Sequence, residues 1–167
     1  MRREDQGPAS PGDASALRVA LVVSRFNAFI TDRLRDGALS TLREAGAPEA
    51  QLEVFAVPGA FEIPQAARTV AETGRFDAIV CLGCIIRGET PHFDYIAAAV
   101  AHGITAAAGD TGVPMAFGVL TTDTVAQAEA RAADGPGNKG REAAAAAIEM
   151  AGLYRALAGT PRPGLRA

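Results

Sequence analysis

The sequence predicts an α/β fold with a parallel central sheet covered by helices on both faces. Three observations carry that expectation. Short apolar runs rich in β-forming residues alternate with segments striped at helical spacing. One of these runs, Ala78 to Ile86, is apolar almost without a break, as a strand buried on both sides must be. The unusual residues gather after the runs, where open α/β sheets bind ligands.

The first predicted strand is Leu17 to Val23, and it ends in Ser24-Arg25-Phe26-Asn27. Ile30, Leu34, Ala38, Leu42 and Ala45 then recur every three or four residues, the spacing of one helix face. The second strand, Leu52 to Val57, runs into Pro58-Gly59-Ala60-Phe61-Glu62 and a shorter helix marked by Pro64 and Ala66 to Val70. The third strand, Ala78 to Ile86, leads into Arg87-Gly88-Glu89-Thr90-Pro91-His92. Phe93, Ile96, Ala97, Val100, Ala101 and Ile104 stripe the helix that follows. The fourth strand, Val113 to Leu120, is followed by Thr121-Thr122-Asp123-Thr124, where Thr121 or Thr122 reads as a helix cap. Two helical segments close the chain, Val125 to Ala133 and a long one from Lys139 to Leu157, in which the run Ala143 to Ala147 favours helix. Met1 to Ala16 and Gly159 to Ala167 read as loose tails flanking one domain over residues 17–158.

Composition narrows the function. At 167 residues the chain can bury a full core, and 49% hydrophobic with 21% charged residues describes an ordinary globular protein. A net charge of -3 gives no general attraction for nucleic acid or an anionic membrane, and 5% aromatics leave few stacking platforms for single strands. No apolar run approaches the roughly 18 residues of a membrane helix. The polar, Pro- and Gly-rich start is not a secretory signal, which points to the cytoplasm. Cys81 and Cys84 form a CxxC, but a spacing of three along a strand sends them to opposite faces, so they should meet neither each other nor one metal ion.

The stretch Ile86 to Tyr95 carries the most chemistry. Thr90 can cap a helix, and Pro91 suits a first turn in which its missing N–H costs nothing. The free N–H groups of a helix start favour an anion, and His92, one of two histidines, stands beside them. A phosphate cradle next to a proton-transfer group points to catalysis on a small phosphorylated substrate. The other histidine, His102, lies mid-helix among apolar neighbours and reads as structural. Each remaining candidate has a plainer reading: Phe26 as a core aromatic, Glu62 as a charge suited to a helix N-terminus, Arg131 as a solvated helix charge. Gly135 to Gly140 lacks the serine or threonine of a nucleotide P-loop and does not follow a strand, so that assignment fails. It does contain Lys139, the only lysine of the chain.

Taken in order, Ser24-Arg25-Phe26-Asn27, Val57 to Pro64, Leu82-Gly83 with Ile85 to Tyr95, Phe117 to Thr124, and Gly137-Asn138-Lys139-Gly140 with Ala147 to Met150 resemble the lumazine synthase family. The resemblance covers nearly everything between Leu17 and Leu157. It lapses at Cys84, where a polar residue would be expected, and at Asp134-Gly135-Pro136. It implies a flavodoxin-like three-layer α/β/α subunit assembled into pentamers. It also implies condensation of 5-amino-6-ribitylaminouracil with 3,4-dihydroxy-2-butanone 4-phosphate to 6,7-dimethyl-8-ribityllumazine, phosphate and water, without metal or redox cofactor.

By the same resemblance, Phe26 stacks on the pyrimidine, and Asn27, Gly59, Ala60, Phe61 and Glu62 hold the ribityl chain. Ile85 and Ile86 line the ring pocket, Gly88, Glu89 and Thr90 bind phosphate, and His92 moves protons. A neighbouring subunit supplies Phe117 against the ring, Arg131 to the phosphate, and Lys139 with Glu142 at the pyrimidine edge. The absence of an insertion between Arg131 and Lys139 fits the family members whose pentamers close into a 60-subunit shell, with riboflavin synthase as a candidate partner. Two other classes share this fold: a non-catalytic flavin- or lumazine-binding shell, which His92, Arg131 and Lys139 argue against, and an electron carrier that binds flavin mononucleotide.

Overall fold

The structure, a computed structural model, describes residues 12–159. Its sheet is all-parallel, in the order β2-β1-β3-β4, with β1 at Val19–Ser24, β2 at Leu52–Val57, β3 at Ala78–Ile86 and β4 at Met115–Thr122. The α-helices among the described residues are α1 (Ala28–Glu44), α2 (Ile63–Glu72), α3 (His92–Thr111), α4 (Val125–Ala132) and α5 (Lys139–Ala158). This is the expected three-layer, flavodoxin-like arrangement. Val19, Leu21, Val80 and Leu82 pack with α1, α4 and α5 on one face. Ala20, Val22, Ile79 and Cys81 pack with α2 and α3 on the other.

Every residue of β1 and all but the last of β3 are buried, because these two strands are central and both their faces are covered. Cys81 and Cys84 indeed fall into the two opposite cores. Burial pushes their thiols up to about 12 and about 11, so both are packed neutral groups. The edge strand β2 is largely exposed despite its apolar sequence, with Val54 43% accessible.

Three details depart from the sequence expectations. The first and fourth strands begin two residues later than their apolar runs, because strand pairing starts at Val19 and Met115. In α3 the buried line runs Val100, Ile104, Ala107, and Ala101, one step around the helix, is exposed. His102 is exposed as well and so does not serve the core. Residues 12–16 are not wholly loose: Ala14 is fully buried, its N–H donates to Ala45 O at 2.8 Å, and Arg155 donates to Ala16 O at 3.0 Å. The remainder of the two expected tails, 1–11 and 160–167, lies outside the described residues.

The placement of α5 rests on a buried asparagine. Asn138 is 2% accessible and caps α5 by accepting from the N–H groups of Gly140 (2.8 Å) and Arg141 (3.2 Å). Its amide donates to Arg33 O on α1 (3.2 Å) and to Ala132 O at the end of α4 (3.0 Å). One side chain therefore fixes three helices and satisfies its own buried polar atoms. Close approach at this point requires glycine: a Cβ at Gly140 would stand 1.9 Å from Leu34 O, and one at Gly37 would stand 2.3 Å from Asn138 Oδ1.

Candidate functional site

From β1 the chain crosses to β2 on one side, whereas from β3 it crosses to β4 on the other. The crevice between two such neighbouring strands is where doubly wound sheets bind ligands. A hollow of about 380 Å³ opens at the C-terminal ends of these strands. Phe26 borders it after β1; Gly59, Ala60, Phe61 and Glu62 border it after β2. Ile85 and Ile86 supply its floor at the end of β3, and Gly88, Thr90 and His92 its rim. Phe26 and Phe61 are 69% and 60% accessible, which disposes of the core reading of Phe26 and leaves two aromatic faces open for stacking.

Local hydrogen bonds hold this rim. Glu62 Oε2 accepts from the N–H of Gly59 at 3.0 Å, closing the turn after β2. Asn27 adopts a left-handed conformation (φ 60°, ψ 44°), and its amide donates to Cys84 O at 3.0 Å, tying the end of β1 to β3. Neither Asn27 nor Glu89 borders the hollow. Thr90 does not occupy the cap position expected for it. Pro91, with ψ near 3°, is already a turn residue whose carbonyl accepts the first bonds of α3, and Thr90 Oγ1 accepts only a long 3.4 Å bond from the His92 N–H. The cap of α4 likewise falls later than expected. Thr124 accepts from the N–H of Gln127 at 3.2 Å, while the buried Thr122 hydroxyl donates to Thr124 O.

Phe117, Arg131, Lys139 and Glu142 border a second hollow of about 370 Å³, between β4, α4 and α5. It shares no residue with the first. Lys139 Nζ pairs with Glu142 Oε2 at 2.6 Å, and Arg131 Nη1 donates to Gln127 O at 3.0 Å, within its own helix. Among the described residues that line the His92 hollow there is no lysine or arginine, and the one carboxylate is Glu62. The cations suited to an anionic substrate sit in the other hollow.

The profile of the 6,7-dimethyl-8-ribityllumazine synthase family matches residues 16–155. The 6,7-dimethyl-8-ribityllumazine synthase of Syntrophus aciditrophicus (strain SB) is 53% identical over 144 residues, which cover 86% of this chain and 94% of that one. The chain belongs to the 6,7-dimethyl-8-ribityllumazine synthase family. It is accordingly a transferase of riboflavin biosynthesis that forms 6,7-dimethyl-8-ribityllumazine. The family span opens at residue 16, two residues after Ala14, the first buried residue among those described. No helix among the described residues is long and apolar enough to cross a membrane.

Sequence reasoning overlooked some of the lining. Phe93 and Ile96 complete the apolar wall of the His92 hollow, and their helical spacing had marked them only as core. Cys84 also borders this hollow as well as packing in the core. Leu120 and Ala143 line the second hollow and also belong to the core, a double role that no sequence signal separates.

Proposed function

We propose that the two hollows are complementary halves of one catalytic site, completed when the Arg131 hollow of one subunit meets the His92 hollow of the next. The observation that carries this reading is the division of charge. The hollow with the imidazole and the N–H groups at the start of α3 has no lysine or arginine in its lining, and the hollow with Arg131 and Lys139 has no histidine in its lining. A phosphate bound by N–H groups alone would be poorly neutralised, whereas an added guanidinium supplies strong charge-assisted bonds.

The chemistry suits this division. The amine of 5-amino-6-ribitylaminouracil attacks the ketone of 3,4-dihydroxy-2-butanone 4-phosphate, a step that chiefly requires the two reactants to be held together. Phe26 and Phe117 enclose the pyrimidine, Glu62 with the backbone of residues 59–61 receives the ribityl hydroxyls, and Ile85 and Ile86 exclude water beneath the ring. Gly88, Thr90 and the partner's Arg131 hold the phosphate, and stabilise it again as it leaves. His92 carries protons away from the attacking amine and on to departing oxygens. Lys139 and Glu142 hold the pyrimidine edge.

The assembly that closes every site is a ring of five. The compact turn between Arg131 and Lys139, held by Asn138, further favours packing of such rings into a 60-subunit shell in the cytoplasm, with riboflavin synthase as a candidate guest that consumes the product. Complementation tests the shared site. A protein carrying Arg131→Ala is co-refolded with one carrying both Phe26→Ala and His92→Ala, so that mixed rings contain some intact sites. Activity above that of either parent is expected; activity no greater than the parents' would refute the shared site.

A further inference from the structure

Arg87 belongs to the loop after β3 but borders neither hollow. Its side chain nevertheless has more partners than any residue of the His92 rim. Nε donates to Asp123 Oδ1 at 2.8 Å, and Nη1 lies 3.3 Å from both carboxylate oxygens of Asp94. The guanidinium stands 4.3 Å from the centroid of the Phe93 ring, and the Arg87 N–H donates to Thr122 O at 2.8 Å. The hydrogen bonds to Asp123 and Asp94 raise the Arg87 pKa above its ordinary value, so it remains charged throughout.

These partners sit where the two hollows approach within one chain. Phe93 and Asp94 are the residues directly after His92 in the first turn of α3, and Phe93 is part of the hollow's wall. Asp123 starts the turn into α4, where its N–H donates to Gln127 Oε1 at 2.9 Å, and the Gln127 carbonyl accepts from Arg131. The planar fork of Arg87 thus spans from the His92 turn to the base of the helix that carries Arg131. All three ion-pair partners are substantially exposed, with side chains 43% to 66% accessible, so the cluster contributes little to global stability. A cluster of that kind is better explained by orientation than by folding.

We infer that Arg87 is a positioning residue for the phosphate end of the site: through Asp94, Phe93 and Asp123 it sets the orientation of the Gly88–Thr90 backbone and of His92. This rests on the reading of residues 88–92 as the phosphate and proton-transfer rim. A lysine cannot replace the fork, because it offers a point charge without fixed directions.

The test is steady-state kinetics on Arg87→Met, Arg87→Lys, Asp123→Asn and the double variant Arg87→Met with Asp123→Asn, each first shown to fold and assemble. Arg87→Met should raise KM for the butanone phosphate, and the inhibition constant for inorganic phosphate, on the order of 10-fold. KM for the pyrimidine should stay within about twofold, and the melting temperature should hardly move. Arg87→Lys should recover only part of the loss. Asp123→Asn should reproduce much of the Arg87→Met defect, and the double variant should be little worse than either single one. If Asp123→Asn is silent while Arg87→Met is impaired, Arg87 contacts phosphate itself and the positioning role is overturned. Equal changes in both KM values, or unchanged kinetics in Arg87→Met, overturn it too. Thr90→Ala and Arg131→Ala serve as reference variants. If they leave the phosphate KM unchanged, the reading of the rim fails; if they raise it while Arg87→Met does not, only the role of Arg87 fails.

Discussion

Three glycines near or on α5 allow one chemical change to be made in three environments. At Gly140 an added Cβ runs into the backbone of Leu34 on α1, 1.9 Å from its carbonyl oxygen, 2.6 Å from its carbonyl carbon and 2.8 Å from its Cα. The first of these is about 1.6 Å short of the roughly 3.5 Å at which non-bonded atoms rest. No rotamer relieves a backbone clash, so α1 and α5 must separate. Overpacking typically costs about 1–3 kcal/mol, and separation also strains the four hydrogen bonds of Asn138, so Gly140→Ala should cost about 3 kcal/mol or more. For a domain of this size that lowers the melting temperature by roughly 6–12 °C. Gly137→Ala lies three residues away with nothing within 4 Å and no positive φ, and should be near neutral. Gly152→Ala sits inside α5 with nothing within 4 Å, and should stabilise by about 0.5–1 kcal/mol. Calorimetric melting at one protein concentration ranks the three, and activity of Gly140→Ala should fall as well, because Lys139 and Glu142 move with α5. A Gly140→Ala protein that melts within about 2 °C of the parent, or no worse than Gly137→Ala, would refute the packing argument.

Arg131→Ala should harm kcat/KM more than His92→Ala. A lost bond to a charged group costs about 1.5–3 kcal/mol and the phosphate also anchors the ketone, whereas water replaces an imidazole in part; the ranking fails if His92→Ala is the more damaged. Cys81 and Cys84 should resist alkylation in the native protein at pH 8 and react on unfolding; rapid native labelling would contradict their burial. Their raised pKa values also fix a pH dependence. Above about pH 8.5 the unfolded chain's thiols ionise first, so it binds fewer protons and stability falls with pH by up to about 1.4 kcal/mol per unit for each thiol, until the folded thiols ionise at about 11 and about 12. Both Cys→Ala variants together should flatten that limb of a denaturant-midpoint against pH series. Sedimentation should show 60-subunit shells; particles no larger than pentamers across pH and phosphate concentration would rule the shell out.

What the sequence determined by itself was the class of fold and the family. Periodicity needs only local order, so the unbroken run of β3 and the stripe Ile30, Leu34, Ala38, Leu42 placed their elements to within a residue or two. The CxxC could be assigned to opposite faces because strand geometry has a period of two. The order β2-β1-β3-β4, and hence the crevice beside β1, could not be read this way, since pairing joins residues far apart in the chain. The same limit hid why Gly-Asn-Lys-Gly takes that form. Asn138 and Gly140 make sense only against Arg33, Leu34 and Ala132 of other helices, and no local pattern reveals a carbonyl 105 residues away. The division of the candidate site residues between two separate hollows was expected from the family resemblance alone and from no local pattern, because only the packing of β4, α4 and α5 decides which of them one subunit brings together.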